Sequence, residues 1–598
     1  MINKLEQSCF FRNVYQMEDY TINQLLCSFF SKINECIDVT NESFNYLEWL
    51  KTEGLQSETS EILNLWLEDG TLENLINIDK FNRLSTELTE KVNDLLQTTN
   101  TTISELSKTL TEQITRLDNT LSKKVEDMKI AVDTQLEENT SFVNNAVDNM
   151  NQSMTDFETS TNLKIDNFKN DVNLQLNVFR NFIICTNVNE FKLALQKTGN
   201  KPTIIYLVNG TYTLDEILYI PDNTKIVGLG KVTINANGLN CYLSNKVDGT
   251  PLRYNGTKNI IIENIIFDGL NKADGLSMVA FAHAQNVLIE KCTFVNLHMW
   301  HMIELNATKN GIIRECHFEN YGNTGSNATE VIQLDAMISE SQFPWFGGYD
   351  STACRNILIE NNTFENIGKS AIGNHSFKTG VVQKDIVIRN NFFDGVGTCI
   401  TLSDFDNLLI EQNKAYNCHG FIDSFSVNNN CEHLVIRDNR YQGFFISSTD
   451  GLGDERFVSL NANGKPENYT FIDVSIIGND VSLVPSHAIG LVADYLNISD
   501  NNFFRVYKHG IYHWGGFSGI IKGNNFRDVG MESTEYRKAI MVNGGGVPSK
   551  RVIVANNSVA NLGGIEVSGT VEKILVCNNI SAVENKASDN CTVANNIN

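Results

Sequence analysis

The chain has 598 residues, a formal charge of −24 and a pI near 4.9. That length predicts several domains or an elongated repeat, and that acidity excludes nucleic acid and anionic lipid as natural partners, since both demand a basic footprint. The 13 cysteines are an odd number with no CxxC pair, the usage expected of reduced thiols in a chain assembled in a cytosol.

The N-terminus MINKLEQSCFFRN has no basic region followed by an apolar h-region, and no run of about 18 apolar residues occurs anywhere. The expectation is a protein that is neither classically secreted nor inserted in a membrane. All seven prolines lie at or after Pro202, all ten histidines at or after His283, and neither Gly nor Pro interrupts Thr71 to Thr198. A helical first part and a turn-rich second part follow.

In residues 1–80, Ile22, Leu25, Leu26, Phe29 and Ile33 are spaced three and four apart, which predicts short helices. Over 81–185 a sparse apolar seam runs through Ile103, Leu106, Leu110, Ile114, Leu117, Leu121, Val125, Met128, Val132 and Leu136. So narrow a stripe can be buried only against partner helices, so this region reads as a coiled-coil stalk, with three strands the expectation. Its steps of 3, 4 and 4 repeat every eleven residues, the period of a nearly straight or slightly right-handed bundle.

At Val188 the pattern changes. Asn189 to Lys197 reads as a short amphipathic helix, and strands ending in NGTY, entering at IPDNT and leaving at GLG follow it. From 259 to 598 a unit recurs, best seen in NILIENNTFENIGKSAIGNH (Asn356 to His375): alternating apolar residues, an Asn at a bend, Phe two residues later, a second Asn bend and a short apolar strand. The first bend position is held by Ile265, Cys292, Cys316, Asn362, Asn391, Asn413, Asn439, Asn479, Asn501, Asn524, Asn557, Asn579 and Asn596, with most steps 22 to 29 residues. Asparagine there suits a ladder, since its amide can bond its copy one coil away and its backbone tolerates the left-handed region. Phe267, Phe294, Phe318, Phe364, Phe393, Tyr441, Phe503 and Phe526 then form an interior aromatic stack. Short period, Asn bends and stacked strands together predict a parallel β-helix.

Steps of 46, 40 and 33 residues follow Cys316, Asn439 and Asn524, and insertions into a solenoid are candidate binding loops. The first contains FPWFGGYD, and the chain ends directly after a bend, which leaves the last coil to be covered by partners or by a segment removed in maturation.

The strand after each second bend has a central apolar residue, among them Ile303, Ile332, Ile372, Ile400, Ile422 and Ile446. If that residue points inward, residues one and three places later point outward. This gives one column of Glu304, Gln333, Gly373, Thr401, Asp423 and Ser447 and another of Asn306, Asp335, His375, Ser403 and Phe425. Glu304 and Asp335 on neighbouring coils form a carboxylate pair of the kind glycosidases hold about 5 to 9 Å apart, with His375 to tune them or act as an acid. Gln333, Trp300, His301, Glu330 and Asp423 line the same patch, and Trp345 and Tyr349 of the insertion could stack on sugar rings. No residue set is assigned to a metal. His509 and His513 read as packing histidines, because their spacing falls in a strand repeat. No cofactor is expected, and a divalent cation is left open.

Two sets of motifs carry a resemblance. Tyr20 to Asp38 and Leu65 to Asn77 resemble the particle-attachment end of phi29-type preneck appendages, and HMIELN, TEVIQLDA, FPWFGGYD and AIGNH resemble the β-helix domain of the same family. The capping helix with NGTY, IPDNT and GLG resembles the entrance of pectate-lyase-like right-handed β-helices. The resemblance implies a mainly β chain: an attachment region at 1–80 that meets virion neck or tail proteins, a trimeric stalk at 81–185, a β-helix entrance at 186–258 and a β-helix with a substrate groove at 259–598. It also implies a homotrimeric virion appendage or tailspike, assembled in the host cytoplasm, that recognises and hydrolyses a host cell-wall glycopolymer such as teichoic acid. A spike that binds the same polymer without turnover is the alternative. The columns hold no Arg or Lys near the acids, which disfavours the elimination chemistry of pectate lyases.

Overall fold

In the computed structural model the described residues are 104–131 with scattered positions between 90 and 159, and 181–597 apart from 200, 247–252, 272–274, 323–329, 342–346, 445–454, 463–469, 532–537, 562 and 588–589. The attachment region expected at 1–80 lies outside them. The chain divides into two compact units, Met1–Asp148 and Asn149–Asn598, and no described helix is long and apolar enough to cross a membrane.

In the first unit residues 104–131 form one continuous α-helix. Threonine is a poor helix former because its hydroxyl competes for backbone groups. Here the hydroxyls of Thr109, Thr111, Thr115 and Thr120 donate to the carbonyl four residues back at 2.8 to 2.9 Å, leaving the helical bonds intact. The seam from Leu106 to Met128 is 53 to 64% exposed on the single chain. The helix is therefore observed, and the partners of a coiled coil are a separate question taken up below.

In the second unit, Asn181–Cys185 pairs in parallel with Thr203–Leu214, and the helix Val188–Thr198 lies between them in sequence. Asn187 caps this helix by accepting from the Glu190 N–H, while the Glu190 carboxylate accepts from the Thr186 N–H, so two otherwise orphaned donors are satisfied. The helix buries Phe191, Ala194 and Leu195. Phe191 meets Tyr212 of the NGTY sequence edge-on at 6.3 Å.

Counting Asn181–Cys185 and Thr203–Leu214, the described residues form 38 strands in one sheet whose strand pairs run parallel, each coil pairing with the next. A typical coil places Arg355–Glu360 on one face, then Thr363–Gly373, which turns a corner between Ile367 and Ser370 and so serves the second and third faces. Phe267, Phe294, Phe318, Phe364 and Phe393 stack at 4.7 to 5.1 Å between ring centroids, within 9 to 11° of parallel. Ala415 takes the next place, and Tyr441 packs with Phe421 and Phe457 instead. The aromatic stack is thus continuous over five coils and resumes at Phe503 and Phe526.

The asparagine column is unbroken from Asn362 to Asn596. At each step an Oδ1 accepts from both the backbone N–H and the side-chain amide of the asparagine one coil earlier, as Asn413 does from Asn391 at 2.9 and 3.0 Å. The amide's other proton goes to a backbone carbonyl, as from Asn413 to Ile388 at 2.9 Å. In the first coils Cys292 and Cys316 replace the asparagine, and their thiols point at the corresponding carbonyls of Ile262 and Ile289.

Two expectations are corrected. The left-handed residue is the one before the ladder position, as at Asn361, Asn390, Gln412, Asp438 and Asp500 with φ between 54 and 59°, and the ladder asparagine keeps an ordinary backbone. The inward residue stacked on Ile422 is Val458, not Ile446, because the chain between Asn439 and Asn479 contributes its third-face strand late, at Val458–Asn461. Ser447 lies outside the described residues, and Ser459 pairs with Asp423. Ten cysteines are described, none in a disulfide bond and nine of them buried.

Replacing Asn413 by Ala strands a backbone N–H, an amide N–H and a carbonyl in the interior, at about 1 to 3 kcal/mol for each group left without a partner. Asn413→Ala is expected to cost about 3 kcal/mol or more in denaturant unfolding. Asn356→Ala, on the part-buried outer ladder to Asn310 and at φ 55°, should cost about 1 to 2 kcal/mol, most of it backbone strain. Equal losses would deny the inner ladder its role.

Candidate functional site

On the third face Glu304 pairs with Gln333, Gln333 with Gly373 and Gly373 with Thr401, while Asn306 pairs with Asp335. The expected columns therefore exist in that order, and they bring Glu304, Gln333, Asp335 and His375 together. Glu304 is buried and accepts from the Ser277 hydroxyl at 2.6 Å and the Asn306 amide at 2.7 Å. Asp335 is fully buried and accepts from the backbone N–H groups of His375 and Ser376, the Ser376 hydroxyl and the Gln333 amide. With that many donors its carboxylate is compensated for the loss of water. The same bonds hold the turn that carries His375.

Glu330 is drawn into the cluster by an absence. A Cβ on Gly373 would lie 2.6 Å from Cγ of Glu330 and collide with the Thr401 hydroxyl. Glycine leaves the space through which the Glu330 carboxylate reaches 3.5 Å from His375 Nδ1, while His375 Nε2 lies 3.6 Å from Asp335. His301 stacks on the His375 ring at 5.9 Å, with its Nδ1 2.6 Å from the Glu330 carbonyl.

Burial acts to lower the pKa of His375, but Asp335, Glu330 and Glu304 outweigh it and push the imidazole up to about 9. Burial acts to raise that of Glu330, and the contact with His375 and the charges of both histidines leave it below the ordinary carboxylate value. The side chain of His375 is 35% exposed and that of Glu330 only 2%, so the imidazole is the accessible member of the pair.

The other expected residues are more dispersed. Trp300 stands at the start of the His301 strand with φ 73°, and its indole fills the place a side chain on Gly275 would take. Asp423 follows Ile422, the partner of Ile400, two coils beyond Gly373 and so about 10 Å along the stack. Tyr349 packs on a small apolar patch of Cys241, Ala280, Ala282, Ala307 and Met337 on the earlier coils. Its loop is tied down by Gly348 on His283 at 2.6 Å and Asp350 on the Arg253 N–H at 2.9 Å. Tyr349 is thus partly occupied by the protein's own packing, and Trp345 lies outside the described residues. Ser376, Ser277 and Asn306 complete the cluster; two of them have no outward-column signal, since Ser376 lies past the end of its strand and Ser277 one coil before the first acid. His509 and His513 are buried packing residues, with His513 3.1 Å from the Ser549 hydroxyl.

No protein-family model matches the chain. Plasmin and fibronectin-binding protein A of Streptococcus pneumoniae is 25% identical over 246 residues, 35% of this chain and 34% of its own length, so the chain spans about a third of that relative. Among solved structures, the tailspike of Escherichia coli bacteriophage HK620 in complex with a pentasaccharide matches 69% of this chain and 74% of its own, at 11% identity and a TM-score of 0.43. The surface adhesin PfbA of S. pneumoniae matches 66% and 86%, at 16% and 0.43. An exopolygalacturonase of Thermotoga maritima matches 68% and 96%, at 13% and 0.36.

The folded pKa of His375 lies above its unfolded value of ~6.5. Its charge therefore stabilises the fold fully below about pH 6.5, and the contribution is lost as pH rises through about 9. The stability gap between the wild type and His375→Asn should shrink over that window. In chelator-treated Glu330→Gln, the His375 ring should titrate by NMR well below the wild-type midpoint. An unchanged midpoint would mean that Glu330 does not hold the charge.

Proposed function

We propose that the protein is a virion appendage of the tailspike type whose third β-helix face recognises and hydrolyses a host cell-wall glycopolymer. The observation that carries the reading is the half-exposed imidazolium of His375, held between Glu330 and Asp335 with Glu304 on a neighbouring coil. Hydrolysis of a glycosidic or phosphodiester link needs a proton for the leaving oxygen and a carboxylate to activate water or stabilise the developing charge. His375 is the proton donor in this reading, with Glu330 and Glu304 the carboxylates. Asp335, first read as catalytic, becomes a positioning residue because its oxygens are engaged by Gln333, His375 and Ser376. Among the described residues no Lys or Arg forms an ion pair with Glu330 or Asp335, whose ionic contacts are with His375, and this again disfavours elimination.

A binding spike without turnover is the second reading. It is favoured by the two hydrogen bonds that already cap Glu304 and by the burial of all three carboxylates.

Host cell-wall polymer incubated with the protein should shorten. His375→Ala, Glu330→Gln and Glu304→Gln should each slow fragment release about 10²-fold or more while polymer binding persists. Wild-type rates in all three variants would remove the site. Binding with no fragments from the wild type would establish the spike.

The exposed Leu106 to Met128 seam supports a coiled-coil stalk, and we propose three strands. Light scattering should give three times the 67.0 kDa chain mass, and Leu117→Asp should shift the population toward single chains. A wild type that is monomeric at micromolar concentration would sink the stalk.

A further inference from the structure

The geometry points to a divalent transition-metal site formed by His301, Glu330 and His375. One ligand atom from each lies within 4.8 Å of the others, and they come from neighbouring coils whose strands are fixed in register by the sheet. Metal bonds of ~2.0 to 2.2 Å place such atoms about 3.3 to 3.6 Å apart in a tetrahedral complex. Small side-chain rotations close the difference.

The protonation pattern is already set for an ion. His301 Nδ1 lies 2.6 Å from the Glu330 carbonyl, which can only accept, so this nitrogen is the donor and Nε2 is the atom left to meet an ion. His375 directs Nε2 toward Asp335 at 3.6 Å and Nδ1 toward Glu330. Each imidazole thus has an oxygen facing its second nitrogen, as metal-binding histidines usually do. Glu330 Oε2 and His375 Nδ1, the two facing atoms, make no hydrogen bond, and neither does the buried Oε1 of Gln333. Unbonded polar atoms in a buried place are costly, and a cation between Glu330 and the two rings would satisfy the first two at once.

Two imidazoles and one carboxylate suit zinc or manganese better than calcium or magnesium, which prefer all-oxygen shells. The three ligands leave at least one coordination position for water or a polymer oxygen. His301, Glu330 and His375 would hold the ion at the place of the His375 Nδ1 proton, so Lewis-acid assistance would there replace the proton that His375 donates in the metal-free reading. The assignment stands without the turnover reading, because the ion can be measured with no polymer present.

Chelator-treated full-length protein should be titrated with Zn²⁺ by calorimetry and with Co²⁺ by visible absorption. One ion per chain is expected, with d–d bands of low-symmetry cobalt. Glu330→Gln, His301→Ala and His375→Ala should each weaken binding about 10²-fold or more, and Asp335→Asn, which loosens the turn, by about tenfold. Melting curves identify any variant that fails to fold. Glu330→Asp, which keeps the carboxylate but shortens its reach, keeps the test open if a ligand variant unfolds: it should fold and bind the ion more weakly than the wild type. A second group of Asp406, Glu432 and His433 lies on the exposed outer surface, and His433→Ala should leave binding unchanged. The assignment is overturned by the absence of stoichiometric binding, by wild-type affinity in folded ligand variants, or by loss confined to His433→Ala. Stoichiometric binding without polymer cleavage would sink only the hydrolytic reading, and cleavage without binding only the metal.

Discussion

Parallel stacking in register governs this molecule: each side chain lies against its equivalent one coil away. An interior position must therefore hold a residue that can satisfy a copy of itself. Phenylalanine does so by offset stacking, and the rings from Phe267 to Phe393 keep nearly one orientation. Asparagine does so with an amide that donates at one end and accepts at the other, which lets a polar group sit in an apolar interior without an unmet bond. Cys292 and Cys316 show the weaker solution, with a thiol donor reaching the carbonyl that an amide reaches in later coils.

That constraint explains which parts of the fold were legible. Bend and stack are local and recur, so the period, the capping helix and most inward residues follow from spacing. Two functions of the bend were merged because Asn361–Asn362, Asn390–Asn391 and Asn556–Asn557 are pairs of identical residues, the first left-handed and the second in the ladder. Coils with Gln412, Asp438, Gly478 or Asp500 in the first place separate them. Where an insertion lengthens a coil, sequence spacing loses the register that hydrogen bonds keep, so spacing selects Ile446 for a place that Val458 fills.

At the candidate site, strand alternation was enough to bring Glu304, Gln333 and Asp335 to one face. It could not rank them. Alternation says nothing of Ser376, which lies beyond the strand, and it treated Gly373 as a blank in the column. The blank is what matters, since it admits Glu330, a residue at the first position of its strand where the outward–inward alternation has barely begun. A side chain missing from one coil thus determines which acid of the preceding coil reaches the histidine.

The balance of charge gives the site its character. Elsewhere on the outer surface buried acids are neutralised by arginines from neighbouring coils, as Glu290 is by Arg314, Glu360 by Arg389 and Glu411 by Arg437. Among the described residues no salt bridge from Lys or Arg reaches Glu304, Glu330 or Asp335, and His375 is the cation that faces the last two. A histidine is a cation that can be withdrawn or exchanged, whereas an arginine is permanent. An anionic polymer approaching three carboxylates meets repulsion in proportion to the charge left uncompensated. On the proposed reading, the occupant of the His301–Glu330–His375 triangle, one proton or a doubly charged ion, would set polymer affinity as well as chemistry. By linkage, a polymer bound there would in turn tighten the hold on that cation.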